Sequence, residues 1–358
     1  MKKICLVTGG TGGHIYPALA LADRLKYRDP ENRILFIGNE DRMESTLVPG
    51  AGYDFRSLKT KGIEGSIWHK MQAAVEMVLA IPAAKKILKE FKPDVVCGFG
   101  GYVSCPVVIA AEKLNIPVVI HEQNSLAGKS NKLAAKNADK ICICYDKVRE
   151  SFDPARTVFT GNPRGSIAAA SKGDKEYADK LGIDPNRPTI LVMMGSLGST
   201  TMNDVMASVL KKPIDDLQFI FVTGKGNETN MFEGREDIIT VPYVDTLKIY
   251  PFIDGLVCRA GATTIAEITA IGLPAILVPS PYVANNHQYY NAKVLKDAGA
   301  AEMVEEKDLL ENPQVLTNAI HSFFSSPERL ESAKSNAKAL GRADAADALA
   351  DVVEEASL

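Results

Sequence analysis

The most constraining feature of this chain is a device that it uses twice. A short apolar run, Ile4-Cys5-Leu6-Val7, passes into Gly9-Gly10-Thr11-Gly12-Gly13, and Ala18, Leu19, Leu21, Ala22 and Leu25 then recur at helical spacing. At an offset of 186 positions the device returns: Ile190-Leu191-Val192-Met193-Met194 passes into Gly195-Ser196-Leu197-Gly198, with a helical pattern through Val205, Val209 and Leu210. Further short apolar runs follow each copy: Ile34–Ile37, Val95-Val96-Cys97 and Val118-Val119-Ile120 in the first half, Phe219–Val222, Leu256–Cys258 and Ala275–Val278 in the second. Strands that are apolar throughout, alternating with helices, belong to parallel sheets covered on both faces. The chain is therefore read as α/β, with two doubly wound parallel-sheet domains in tandem.

The break between them is placed at Gly161-Asn162-Pro163-Arg164-Gly165, where Asn-Pro interrupts regular structure. This gives domains over 1–163 and 164–335. The Ala-rich helical tail, 336–358, is a candidate to pack back on the first. Composition excludes the other classes. Apolar residues are 46% and charged residues 24% of the 358, which is ordinary for a globular protein. Six cysteines are too few for a disulfide scaffold and read as reduced, buried thiols. No apolar run is long enough to span a bilayer, and Met1-Lys2-Lys3 enters the first strand without a secretory pattern. The reading is of a cytosolic protein. Its charge is uneven: residues 1–164 hold 24 Lys and Arg against 17 Asp and Glu, and the remainder 17 against 27. The excess in the first half points to an anionic ligand or surface there, or to scattered surface charge.

In open parallel sheets, ligands bind beyond the carboxyl ends of the strands. Gly9-Gly10-Thr11-Gly12-Gly13-His14 opens a helix at that edge, either as a phosphate cradle or as a tight turn. It fails the dinucleotide fingerprint, because Ile15 stands where the last glycine belongs. His14 then faces the ligand edge. Gly98-Phe99-Gly100-Gly101-Tyr102 is a second such loop, and His121-Glu122-Gln123-Asn124 follows the next strand. In the second half, Cys258-Arg259-Ala260-Gly261-Ala262-Thr263-Thr264 runs from strand to helix. Thr264-x-x-Glu267 fits a capping box, so Glu267 is either a helix cap or an acceptor for ribose hydroxyls. Pro279–Asn291, with Gln288, is a further polar loop. No Asp-x-Asp pair occurs, so a bound diphosphate would be met by amides, helix dipoles and Arg, with no metal and no cofactor. Ile63, Ile67, Trp68, Met71, Val75, Val78 and Leu79 lie among Lys59, Lys61, Lys70, Lys85, Lys86 and Lys89; this is either a membrane-interface patch or an ordinary amphipathic core helix.

Taken in order, these segments together with Thr160-Gly161-Asn162-Pro163-Arg164 resemble the MurG family of N-acetylglucosaminyltransferases. The resemblance implies a glycosyltransferase B fold, two Rossmann-like domains facing across a cleft. It implies a metal-independent hexosyltransferase of peptidoglycan synthesis, hence of cell-wall biogenesis, cell shape and division. UDP-N-acetylglucosamine would donate its sugar, with inversion, to the C4 hydroxyl of lipid I, the undecaprenyl-pyrophosphate-linked muramyl-pentapeptide, giving lipid II. The family pattern places the donor against Thr11, Gly12, Gly13, Asn124, Arg164, Ser196, Val244, Ala262, Thr263, Thr264, Glu267 and Gln288. His14 is read as the base, with Glu122 as its rival. Arg164 follows Pro163 directly, whereas some members have Gly-Asn-Pro-Val-Arg. The implied partners are the two substrates and the anionic inner membrane surface, with no nucleic acid; the implied place is the cytoplasmic face of the membrane, peripherally bound. The alternatives are a UDP-N-acetylglucosamine 2-epimerase of the same architecture, and a dinucleotide-dependent oxidoreductase with Glu40 as its ribose acid.

Overall fold

A computed structural model describes residues 1–60, 67–195 and 200–357, without the side chains of 67–70 and 72–74. Ser196, Ile63 and Lys61 fall outside the described residues, as do the side chains of Ile67, Trp68 and Lys70. The chain divides into two compact units, one of residues 1–166 and 344–358, the other of 167–343.

The first unit is built on seven parallel strands: β1 (Lys3–Val7), β2 (Arg33–Asn39), β3 (Asp54–Leu58), β4 (Val95–Gly98), β5 (Val118–Glu122), β6 (Lys140–Ile143) and β7 (Thr157–Phe159). They lie in the order β3-β2-β1-β4-β5-β6-β7. The helices are α1 (Gly12–Arg28), α2 (Glu44–Gly50), α3 (Ile67–Phe91), α4 (Ser104–Glu112), α5 (Lys129–Ala134) and α6 (Pro163–Ala170), which leads across the division. Alternate residues of β1 serve opposite faces, as strand geometry requires. Ile4 and Leu6 pack with Ala18, Leu21 and Leu25 of α1; Cys5 and Val7 pack with Ala84 and Leu88 of α3 and Val107 of α4. All are buried, which is why the sequence runs apolar without alternation.

The second unit has six parallel strands: β8 (Thr189–Met193), β9 (Gln218–Val222), β10 (Ile238–Val241), β11 (Gly255–Cys258), β12 (Ala275–Leu277) and β13 (Glu302–Met303), in the order β10-β9-β8-β11-β12-β13. Its helices are α7 (Lys175–Leu181), α8 (Thr200–Val209), α9 (Thr246–Ile249), α10 (Ala262–Ile271), α11 (His287–Asp297), α12 (Glu306–Glu311), α13 (Gln314–Phe324) and α14 (Pro327–Leu340). Ile190 and Val192 of β8 pack with Met202, Met206 and Val209 of α8 and with Leu316 and Ile320 of α13.

The division differs in detail from a boundary at 163/164 and a tail beginning at 336. Helix α6 carries the chain over, and α14 stays with the second unit, where Gly341 lies so close to the carbonyl of Thr269 that a Cβ would come within 2.4 Å of it. The returning element is α15 (Ala345–Ala356). It buries Leu349, Ala350 and Val353 in the α1 side of the first core, and Arg24 and Arg28 of α1 fork onto Asp347 at 2.6 Å. Ala-rich sequence marks both α14 and α15 as helical without saying which core each one joins.

Candidate active site

The loops leaving β1, β4 and β5 share one edge of the first sheet, because these strands are neighbours. The first loop is pinned from below by Glu44, which is wholly buried. Its carboxylate accepts from the N–H of Gly10 at 3.1 Å, and from the N–H and Nδ2 of Asn39 at 2.9 and 3.2 Å. The second loop is pressed against the first. At Gly101, with φ of +82°, a Cβ would come within 2.6 Å of the Gly9 carbonyl oxygen, so a side chain is excluded by both conformation and space.

His14 stands where the two loops meet. Its Nδ1 is 2.9 Å from the carbonyl oxygen of Gly9. A carbonyl only accepts, so Nδ1 carries the proton and Nε2 keeps its lone pair. Nε2 points over Gly100, 3.1 Å from where a Cβ would sit. This is the tautomer and exposure that a general base needs. The rival carboxylate is differently placed. Oε1 of Glu122 accepts from the N–H and Nδ2 of Asn124 at 3.0 and 3.2 Å, and Oε2 from the N–H of Gly128 and Nδ2 of Asn131 at 2.9 and 3.0 Å. A carboxylate offers about four acceptor positions, and here four N–H groups take them. Glu122 therefore shapes the loop that carries Asn124. His121 is also committed: Nε2 donates to the Gly161 carbonyl at 2.9 Å, and Nδ1 accepts from Gln123 at 3.0 Å. Burial pushes its imidazole down to about 4, so it is neutral at ordinary pH.

Thr11 forms no side-chain cap on α1, so the first N–H groups of that helix, at Gly12 and Gly13, are left for a ligand at its positive end. Arg164, second residue of α6, is brought to the same region: its guanidinium lies 5.5 Å over the ring of Tyr16. The Tyr16 ring in turn rests on Gly12, its Cε2 3.0 Å from where a Cβ would sit. Tyr16 was not legible as part of this edge, since one aromatic in a helical pattern has no distinguishing signal.

In the second unit α10 starts at Gly261, again with no side-chain cap. Ala262, Thr263 and Thr264 form its first turn, and Oγ1 of Thr263 is buried with no partner among the described residues. The capping-box reading of Glu267 does not hold, because Thr264 already lies inside the helix. The Glu267 carboxylate instead accepts from the buried Tyr250 hydroxyl at 2.7 Å. Val244 is buried just ahead of α9, at the carboxyl side of β10. Gln288 opens α11 behind Asn285 and Asn286, whose φ values of 53° and 52° store strain beside it. Its Oε1 accepts from the Ser280 N–H at 2.9 Å, which leaves the amide NH₂ as the group on offer. Ser196 lies outside the described residues. Glu40, the acid an oxidoreductase would need, is half exposed and paired with Lys59 at 3.2 Å.

Each unit thus presents an uncapped helix N-terminus after a glycine loop, with histidine in one and a buried carboxylate in the other. Comparison with known proteins matches residues 4–143 to the glycosyltransferase family 28 N-terminal domain and residues 189–349 to the family's C-terminal domain. Relatives named UDP-N-acetylglucosamine–N-acetylmuramyl-(pentapeptide) pyrophosphoryl-undecaprenol N-acetylglucosamine transferase are 42% identical in Lactiplantibacillus plantarum, over 98% of this chain and 99% of the relative, and 42% identical in Halalkalibacterium halodurans, over 99% of each. The crystal structure of Acinetobacter baumannii MurG superposes with a TM-score of 0.78 at 27% identity, over 99% of this chain and 100% of that one. A UDP-GlcNAc 2-epimerase from Neisseria meningitidis reaches a TM-score of 0.70 at 13% identity, a likeness of fold. The chain belongs to glycosyltransferase family 28.

Proposed function

We infer that the protein transfers N-acetylglucosamine from UDP-N-acetylglucosamine to the C4 hydroxyl of the muramyl sugar of an undecaprenyl-pyrophosphate-linked pentapeptide, with inversion. The observation that carries the reading is full-length relatedness at about 40% identity to transferases of that name, in a chain whose His14 keeps a free Nε2. In this reading Nε2 takes the proton of the attacking hydroxyl. The N–H groups that open α10, aided by Thr263, meet the negative charge growing on the departing UDP. Glu267 holds the ribose, Val244 reads the uracil through its backbone, and Gln288 gives its NH₂ to the sugar; Ser196, Asn124 and Arg164 complete the donor contacts. Thr11, Gly12 and Gly13 also touch the donor, and the glycine loops of the first unit meet the acceptor's pyrophosphate.

The decisive experiment supplies UDP-N-acetylglucosamine with a soluble analogue of the lipid acceptor. Formation of the disaccharide with release of UDP is expected. Conversion of the nucleotide sugar to its C2 epimer, with no transfer to the acceptor, would overturn the reading.

The reading places the protein on the anionic cytoplasmic face of the membrane, as a peripheral protein. Among the described residues no helix is long and apolar enough to cross a bilayer. Helix α3 nevertheless exposes Met71, Val75, Val78 and Leu79, between 56% and 67% accessible, at helical spacing that makes one stripe. Lys85, Lys86 and Lys89 follow on the same helix. An apolar stripe with a basic fringe suits insertion among anionic headgroups. V78D/L79D is expected to abolish sedimentation with phosphatidylglycerol vesicles while leaving turnover of the soluble acceptor intact. Undiminished vesicle binding by this variant would remove α3 as the docking element.

A further inference from the structure

Glu44 opens α2 and is wholly buried, and it takes no direct part in the reaction proposed above. Two glycines make room for it: a Cβ at Gly9 would come within 2.7 Å of its Oε1, and one at Gly38 within 2.6 Å of its Cγ. Its Oε2 accepts from the N–H of Gly10 at 3.1 Å. That N–H belongs to the same peptide group as the Gly9 carbonyl, which accepts from Nδ1 of His14 at 2.9 Å. A single peptide plane therefore stands between a buried carboxylate and the candidate base. The N–H and C=O of a trans peptide point in opposite directions, so whatever holds one aims the other. A carboxylate only accepts. It admits the N–H, repels the C=O, and so keeps the Gly9 carbonyl turned toward His14. The chain itself gives little resistance to a turned-over peptide here, because both flanking residues are glycine and Gly10 already has φ of +90°. Turned over, the peptide would offer its N–H to His14. Nδ1 would then accept, and the ring proton would sit on Nε2, the atom that a base needs free.

We propose that Glu44 is a positioning residue for the transfer: through the Gly9–Gly10 peptide it holds His14 in the tautomer with Nδ1 protonated and Nε2 open. The inference rests on the reading of His14 as the base. The carboxylate charge adds to the effect, because hydrogen bonds in series polarise one another and the Gly9 carbonyl becomes a stronger acceptor for Nδ1–H. Glutamine at position 44 would keep the shape but bring an NH₂ that donates, and so would tolerate either face of the peptide.

The test has two parts. The first uses the wild-type protein labelled with nitrogen-15 histidine. Two-bond proton–nitrogen correlation spectra identify the tautomer of the neutral ring, and His14 is assigned as the signal lost in His14→Ala. Protonation on Nδ1 is expected in the wild type, and the Nε2–H form is expected to appear in Glu44→Gln. A wild-type His14 protonated on Nε2 overturns the proposal without recourse to any variant at position 44. The second part is a double-mutant cycle in kcat. Glu44→Gln alone is expected to lower kcat roughly 10-fold, with KM for UDP-N-acetylglucosamine within about a factor of two. In the His14→Ala background the same substitution is expected to cost less than about 2-fold. An equal loss in both backgrounds would mean that Glu44 shapes the loop without acting through His14, and overturns the proposal. Undiminished kcat in His14→Ala overturns the base reading and this proposal with it; the wrong tautomer, with kcat lost in His14→Ala, overturns this proposal alone.

Discussion

His14→Ala is expected to lower kcat by roughly 100-fold or more, while UDP affinity stays within about a factor of two. The expectation follows from the two bonding positions of one ring. Nδ1 is spent on the Gly9 carbonyl, which fixes the tautomer, and Nε2 faces outward over Gly100. Among the described residues, the two other titratable candidates at this edge are already committed. Glu122 has its acceptor positions filled by four N–H groups, and His121 uses both ring nitrogens within the loop architecture. Steady-state kinetics with UDP titration checks the prediction. A small fall in kcat joined to a raised KM for the nucleotide sugar would make His14 a binding residue instead.

The second large effect is expected at Glu267. Alanine there should weaken UDP binding by about 10- to 100-fold, the range for losing one or two hydrogen bonds to a charged acceptor. Tyr250→Phe should produce a smaller loss, because it removes only a hydrogen bond that holds the carboxylate and leaves the carboxylate in place. Calorimetric titration with UDP and thermal unfolding should be run together. Glu267→Ala also takes one of two partners from the buried Tyr250 hydroxyl, which keeps Thr246, at a cost of about 1 kcal/mol in stability. A lowered melting temperature with unchanged UDP affinity would leave Glu267 as a partner of Tyr250 and nothing more.

Much of the fold was legible because its cause is local. Strands buried on both faces must be apolar throughout, and loops in which backbones touch must be glycine, so Ile4–Val7 with Gly9-Gly10 and Ile190–Met194 with Gly195 announced the same device. The family motifs likewise gathered residues at strand ends, where the parallel-sheet topology puts them. What stayed hidden depends on partners distant in the chain. Glu44 meets Gly10 across 34 positions, and Tyr250 meets Glu267 across 17. Nothing near Glu44 distinguishes it from Glu40, which is exposed. Thr264 and Glu267 matched a capping pattern because spacing carries no information about where α10 begins, and that start was set at Gly261. The apolar stripe of α3 could not be told from a core helix, since periodicity gives a face but not what covers it.

In the proposed reaction amide-lined helix starts, and not a bound cation, carry the diphosphates through the transfer. The direct measurement is a rapid-quench time course of transfer from UDP-N-acetylglucosamine to the soluble acceptor after exhaustive treatment with EDTA. An unchanged single-turnover rate is expected with and without added Mg²⁺. A rate abolished by the chelator and restored by the metal would contradict it.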